Sequence, residues 1–351
     1  MPKSPQGEAR TPMALYRTYR PSIFAEVRGQ EQIVSVLEAA VKKDEVAHAY
    51  LFAGSRGTGK TSTARLLAKA LYTDEQDIYE MDAASNRGID EIRELREGVA
   101  TLPFNSRYKF YIIDEAHALT RDAWSAFLKT LEEPPAHVIF VLATTELDRV
   151  PETIISRCQV FQFKKPPHEV LKKFVTDVAK KEGVVIEPAG AELVALVGEG
   201  SFRDALSILQ KVLTLSSDKK LTEAEVGKVV GAPTATLVVS FLEALAAGDV
   251  ERAIKAFHTS VTEGAEPKVF LLLVINRVRA VLLMRFAPKM EHSLEEQLGK
   301  DSLATLKELA GAKGAAINSS MLAELLTAYL ETGRAVHPMI PLELALYRLF
   351  G

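Results

Sequence analysis

The run Gly54-Ser55-Arg56-Gly57-Thr58-Gly59-Lys60-Thr61 carries residue types at a spacing suited to holding phosphate. Gly54, Gly57 and Gly59 let the backbone curl so that several N–H groups point inward at an anion. Lys60 is expected to lie against the β and γ phosphates, and the Thr61 hydroxyl to complete a Mg²⁺ shell. Ser62 opens the segment behind the loop and joins the nucleotide-binding candidates. A second group, Asp114-Glu115, ends an apolar run 54 positions after Lys60. There Asp114 suits the metal ion, and Glu115 suits orienting and polarising an attacking water. Thr144-Thr145 ends the next apolar run, where a hydroxyl could sense the γ-phosphate. Arg157, in Ser156-Arg157-Cys158, is the kind of cation that neutralises charge on a transferring phosphoryl group. Spacing alone does not separate it from a surface arginine. His117 reads as a helix-start residue rather than a metal ligand, since no second histidine lies at ligand spacing.

These residues need particular elements to position them. Ala49 to Ala53 is an apolar strand before the loop, and Ser62 to Tyr72 carries Ala64, Leu67, Ala68 and Leu71 at helical spacing. Strand, glycine loop and helix is the context a phosphate loop requires. Asp77 to Ala83, Tyr108 to Ile113 and Val138 to Ala143 read as further strands. Gly88 to Val99 and Thr120 to Glu133 read as the helices between them, the latter stopped by Pro134-Pro135. Continuous apolar strands alternating with helices predict a parallel sheet covered on both faces. Ligands of such sheets bind beyond the carboxyl ends of the strands, where Asp114, Glu115 and the Thr pair fall. From Pro166-Pro167 onward strand signals disappear. Helical faces follow, including Phe202 to Leu215 and one opened by the capping-box signature Thr222-x-x-Glu225.

Composition narrows the setting. The 351 residues have a net charge of −3, 47% hydrophobic and 25% charged content, as in an ordinary globular protein of two or three domains. One cysteine, Cys158, excludes a disulfide framework and a cysteine-cluster zinc site. Any nucleic-acid surface must be a local patch or be built from several subunits. Residues 1–12 read as a disordered tail without the core of a signal peptide. Val269 to Met284 is too short and too charged to span a bilayer, so no membrane partner is expected and the location expected is the cytoplasm.

Several stretches, taken in order, carry a closer resemblance. They are Tyr16-Arg17-x-Tyr19-Arg20-Pro21, Gly29-Gln30, His48 to Leu67, Met81-Asp82-Ala83-Ala84-Ser85 and Ile113-Asp114-Glu115-Ala116-His117. Leu128 to Pro135, Leu142-Ala143-Thr144-Thr145 and Ser156-Arg157-Cys158 follow. Together they resemble the bacterial DNA polymerase III gamma/tau family, the ATPases of the sliding-clamp loader. The match continues through Gly200 to Leu206 and reaches Pro341 to Leu346. The resemblance implies an α/β AAA+ P-loop ATPase domain with a parallel sheet over residues 13–165. An all-α lid over 166–230 and an all-α collar over 231–351 would follow, the collar joining subunits into a five-membered ring. ATP and Mg²⁺ are the implied cofactors. The implied partners are other clamp-loader subunits (delta and delta-prime-like), the sliding clamp and primer-template DNA. Thr145, or Thr144 in second place, becomes the first sensor, Arg203 the second, and Arg157 a finger reaching an adjacent subunit. The Tyr16 to Pro21 segment, with Arg20, and Val27 would line the adenine pocket. Arg87 and Arg93, on the helix after Ser85, are candidates for DNA phosphates, with a solvated helix face as the other reading.

Two departures stand out. Similar proteins carry a four-cysteine zinc insertion where Leu71 to Asp77 crosses here without cysteine, so no zinc is expected. The sequence also stops at Gly351, which resembles the short, gamma-like form. Competing readings are another ring ATPase, such as a Holliday-junction motor or a eukaryote-like small clamp-loader subunit, an RNA helicase from Asp-Glu-Ala-His, and a scaffold that binds ATP without hydrolysing it.

Overall fold

A computed structural model describes residues 14–216, 219–298, 300–311 and 316–351. The expected tail at 1–12 lies outside the described residues, as do residues 312–315 of the break expected at Gly311 to Gly314. The chain forms two compact units. One holds the residues up to Leu171 together with Gly200–Ser207, and the other holds Lys172–Glu199 and Ile208–Gly351.

The first unit contains α1 (Leu15–Thr18), α2 (Glu31–Lys43), β1 (Ala49–Gly54), α3 (Lys60–Ala70), β2 (Ile78–Asp82) and α4 (Ile89–Val99). It continues with β3 (Lys109–Asp114), α5 (Arg121–Glu132), β4 (Val138–Thr144), α6 (Glu152–Ile155) and β5 (Gln159–Phe163). All five strands pair in parallel in the order β2-β3-β4-β1-β5. Alternate residues of the central strands face opposite sides. Leu51, Ile113, Phe140 and Leu142 pack with Ile92 of α4 and Trp124 and Phe127 of α5. Tyr50, Phe52, Phe110, Ile112 and Val141 pack with Leu37 of α2 and Ala64 and Leu67 of α3. Both faces of the sheet are therefore covered, which explains the unbroken apolar strands. Phe127 is fully buried and packs edge-on against Phe140 at 5.1 Å.

The strand order sets up the site. β4 lies between β1 and β3, with Ala53 opposite Thr144 and Ile113 opposite Leu142. The glycine loop, the Thr pair and the acidic pair thus leave the sheet side by side at its carboxyl edge. Sequence reading overlooked β5, an edge strand in which Phe161 and Phe163 are buried and the residues between and before them exposed.

The Leu71 to Asp77 crossing is held by one carboxylate. Asp77 is fully buried and accepts N–H bonds from Phe104 (2.7 Å), Asn105 (3.1 Å) and Ser106 (3.0 Å). The Asp74 N–H donates to Ser106 Oγ at 2.7 Å. Burial alone would raise the Asp77 carboxyl, but these N–H bonds bring it below its ordinary value.

Helices dominate the remainder: α7 (His168–Lys181), α8 (Pro188–Val197), α9 (Phe202–Leu215), α10 (Glu223–Val230), α11 (Ala235–Ala247) and α12 (Val250–Thr262). Then come α13 (Pro267–Phe286), α14 (Glu291–Leu298), α15 (Lys300–Gly311), α16 (Ser319–Thr332) and α17 (Ile340–Phe350). The strand signals do not vanish altogether after Pro166, because β6 (Val185–Ile186) and β7 (Lys220–Leu221) pair in parallel. Two residues per strand are too few for a periodic pattern to show. The Thr222 and Glu225 capping box opens α10 as expected. Phe241, Phe257 and Phe270 meet at the centre of the second unit, with centroids 5.1 Å apart for Phe241–Phe270 and for Phe257–Phe270. Among the described residues, no single helix is long and apolar enough to cross a membrane.

Candidate functional site

Gly59 caps the start of α3 at φ 102°, and a Cβ built there would meet no protein atom within 4 Å. The open space on the inside of the loop is where an anion can approach the backbone. Gly57, at φ 73°, faces the opposite situation, since its Cβ would fall 1.9 Å from Ser201 Oγ. The Phe202 N–H also donates to the Gly57 carbonyl at 3.1 Å. The loop is thereby tied to the chain that carries Arg203. Gly54 ends β1, and Ser62 is half-buried in the first turn of α3.

Lys60 is almost fully buried. Its ammonium donates to the carbonyls of Gly54 (2.8 Å) and Ser55 (2.9 Å), folded onto its own loop. Burial lowers its pKa below the usual lysine range, while Glu115 and Asp114 pull it back up. Beside it, Thr61 Oγ1 donates to Asp114 Oδ2 at 2.7 Å. A hydroxyl paired with a carboxylate is the donor set Mg²⁺ takes beside a nucleotide, so Thr61 and Asp114 fit the ion. Among the described residues, no group of three or more His, Cys, Asp or Glu forms a metal cage.

Glu115 follows Asp114 at φ 48°, in the left-handed region where β3 has ended. Its Oε2 accepts from Thr145 Oγ1 at 3.1 Å. Of the Thr pair, Thr145 is therefore the one that touches Glu115, whereas the buried Thr144 lies 3.1 Å from His117 Nδ1.

Arg203 and Tyr16 also meet in this unit, with the guanidinium 5.0 Å from the ring centroid and Arg17 at 5.8 Å on the same ring. Arg20 sits exposed just after α1, and Val27 packs at the edge of the core formed by α2 and α3. Arg157 is not at the loop of its own chain. Its guanidinium pairs with Glu132 Oε1 (2.8 Å) and donates to the Thr153 carbonyl (2.7 Å). Arg87 is exposed in the turn before α4 rather than on the helix, its carbonyl accepting the Thr120 N–H, while Arg93 is exposed on α4 and paired with Asp90 at 2.8 Å.

Sequence comparison places this geometry in a lineage. Residues 29–88 and 77–167 match the family described as DNA polymerase III, delta subunit. Residues 221–351 match the family described as DNA polymerase III subunits gamma and tau domain III. The chain is 36% identical over 358 residues to DNA polymerase III subunit tau of Bacillus subtilis strain 168, covering 96% of this chain and 63% of that one. It is 35% identical over 361 residues to the gamma/tau subunit of Mycobacterium tuberculosis H37Rv, covering 96% and 62%. The chain belongs to the DNA polymerase III gamma/tau family. It spans somewhat less than two thirds of the length of these gamma/tau relatives. In three dimensions it is similar to the Thermotoga maritima RuvB Holliday junction branch migration motor, with a TM-score of 0.52 at 23% identity, covering 65% of this chain and 79% of that one. That likeness concerns fold alone.

The gamma/tau chain holds one feature that sequence reading missed. His117, in the turn Ala116–Ala118, is 12% exposed at its side chain. Its Nδ1 lies 3.5 Å from Glu115 Oε2 and its Nε2 lies 3.4 Å from Glu146 Oε1. The spacing of His117 from Glu115 was visible in the sequence. The approach of Thr144 and Glu146 depends on β3 and β4 being neighbours. Cys158 is inert by comparison, burial pushing its thiol up to about 12.

Proposed function

We propose that this chain is an ATPase subunit of the DNA polymerase III clamp loader, in which ATP binding and hydrolysis drive opening of a sliding clamp and its loading onto primer-template DNA. The observation that supports this most is the convergence, at one sheet edge, of Lys60, the Thr61–Asp114 pair and the Thr145–Glu115 pair. Lys60 exchanges its loop carbonyls for the β and γ phosphate oxygens. Glu115 takes a proton from water as that water's oxygen bonds to the γ-phosphorus. The bond from the γ-phosphorus to the bridging oxygen breaks, and ADP leaves with the electron pair. Thr145 orients Glu115 and acts as the first sensor. Thr61 and Asp114 would hold Mg²⁺, which when bound neutralises phosphate charge. Tyr16, Arg20 and Val27 line the adenine pocket, and Arg203 is the second sensor.

Arg157 completes the site of a neighbouring subunit. Residues 13–165 act as the ATPase domain, 166–230 as the lid, and 231–351 as the collar of a five-membered ring with delta and delta-prime-like subunits. Arg87 and Arg93 meet DNA phosphates, and the complex works in the cytoplasm. Turnover of ATP by the chain assembled with its loader subunits, with and without clamp and primed DNA, tests the reading. Slow basal turnover, stimulated by both, is expected, and Glu115→Gln should retain ATP binding but lose at least about 100-fold in kcat. Turnover indifferent to clamp and primed DNA would defeat the clamp-loading assignment.

A further inference from the structure

Between Glu199 and Gly200 the chain passes from one compact unit to the other. Both residues take left-handed backbone, at φ 49° and φ 81°. Glycine adopts that conformation without penalty, and Gly200 packs so closely on Lys165 that an added Cβ would fall 3.0 Å from the lysine Cβ. In Glu199 the same conformation is strained, and it persists only where the surroundings hold it.

Those surroundings are α13 and α16 of the unit to which Glu199 belongs. Glu199 Oε1 accepts from the Tyr329 hydroxyl at 2.6 Å and from Lys268 Nζ at 3.0 Å. The Lys268 ammonium also lies 4.9 Å from the Tyr329 ring centroid. Burial, and then the Glu199 carboxylate, raise the Tyr329 hydroxyl above its ordinary range, so it keeps the proton it donates. Both partners stand on well-packed helices, since Val269 and Phe270 after Lys268 and Ala328 before Tyr329 are buried.

On the other side of Gly200, Ser201 is buried with its Oγ close against Gly57, and that oxygen accepts the Asp204 N–H at 3.1 Å. The Phe202 N–H donates to the Gly57 carbonyl at 3.1 Å. One residue thus separates two anchored ones, and two Cα–Cα steps span at most about 7 Å. The clasp on Glu199 therefore limits where Ser201 and Phe202 can go, and these two residues flank the glycine loop.

We infer that Glu199 is a positioning residue for nucleotide binding: clasped by Tyr329 and Lys268, it tethers Ser201 and Phe202 against Gly57 and so preorganises the phosphate loop. The inference rests on the reading of that loop as the nucleotide site. A loop already held in shape loses less freedom when phosphate arrives, so releasing the clasp weakens binding. ADP meets the same loop backbone, and its affinity reports the effect without any contact to a γ-phosphate.

Equilibrium binding of ADP and ATP to the full chain is the test, with thermal unfolding to show that each variant is folded. Tyr329→Phe removes a single hydroxyl from the clasp and should raise the ADP dissociation constant about 5-fold. Glu199→Asn suits the left-handed backbone but, one carbon shorter, loses both partners, and should weaken ADP by a similar factor. Inserting one glycine after Gly200 slackens the tether and leaves the clasp itself intact. The slackened chain should bind ADP about 5-fold more weakly, and Tyr329→Phe within it should add less than about 2-fold. A general loss of packing would act alike in both chains. An ADP affinity unchanged in Tyr329→Phe or in the slackened chain, or a full further loss on adding Tyr329→Phe to the slackened chain, overturns the inference. A parent chain that binds neither ATP nor ADP would instead remove the nucleotide reading beneath it.

Discussion

Glu115 occupies a backbone conformation that suits asparagine or glycine better than glutamate, at φ 48°. Such a residue costs about 1 kcal/mol and persists where the surroundings require it. Glu115→Asn should therefore fold with stability equal to the parent or up to about 1 kcal/mol greater, while turnover disappears. Thermal unfolding beside an ATPase assay checks both halves, and a destabilised variant would count against strain at this position. The glycines make a matching pair. Gly57→Ala drives a methyl into Ser201 Oγ and should loosen the link between the loop and Arg203, lowering both stability and nucleotide affinity. Gly59→Ala meets no protein atom, so its cost is conformational, and its larger effect should be on ATP affinity, by 10-fold or more. Calorimetric titration of the two variants separates the effects.

At the scale of elements, the Asp77 clip shows how a short crossing is held in place. Its three N–H bonds place the folded carboxyl below its ordinary value of about 4. The resulting stabilisation is complete above about pH 5 and is lost as pH falls through 4 toward the lower folded value. Asp77→Asn should cost about 2 kcal/mol at pH 7, and the gap from the parent should narrow at pH 3. Unfolding curves at the two pH values test this; an equal gap at both would show that the charge is not what holds the loop. The capping box of α10 and the span of α9 were legible because their signals are local in the chain. Asp114, Glu115 and the Thr144-Thr145 pair could be picked out because each group ends an apolar run, but which threonine meets Glu115 could not. β5 was not, because its alternation covers five residues on an edge. His117 was read as a helix-start residue because what surrounds it comes from a different strand, and no spacing in the chain encodes that approach.

At the scale of the whole molecule, Arg157 is held by Glu132 and Thr153 of its own chain, contacts it must leave to play the role proposed for it at a neighbour's site. Exposed pairs of this kind contribute about 1 kcal/mol or less, so a γ-phosphate can displace Glu132 readily. Chains carrying Arg157→Ala, mixed with chains carrying Lys60→Ala, should regain part of the ATPase activity that each lacks alone, since some seams then combine an intact loop with an intact finger. Absence of recovery at every mixing ratio would argue that Arg157 serves no adjacent site.

The ammonium of Lys60, clasped by two carbonyls of its own loop, has a consequence for what the cleft admits. An incoming molecule must first compete for a cation that is already solvated by amide oxygens. A neutral nucleoside brings nothing to offer in exchange, however well its ring is received, whereas a chain of phosphates does. Adenosine should therefore fail to displace labelled ATP at concentrations where ADP succeeds, which would make the cleft a reader of charge before it is a reader of base.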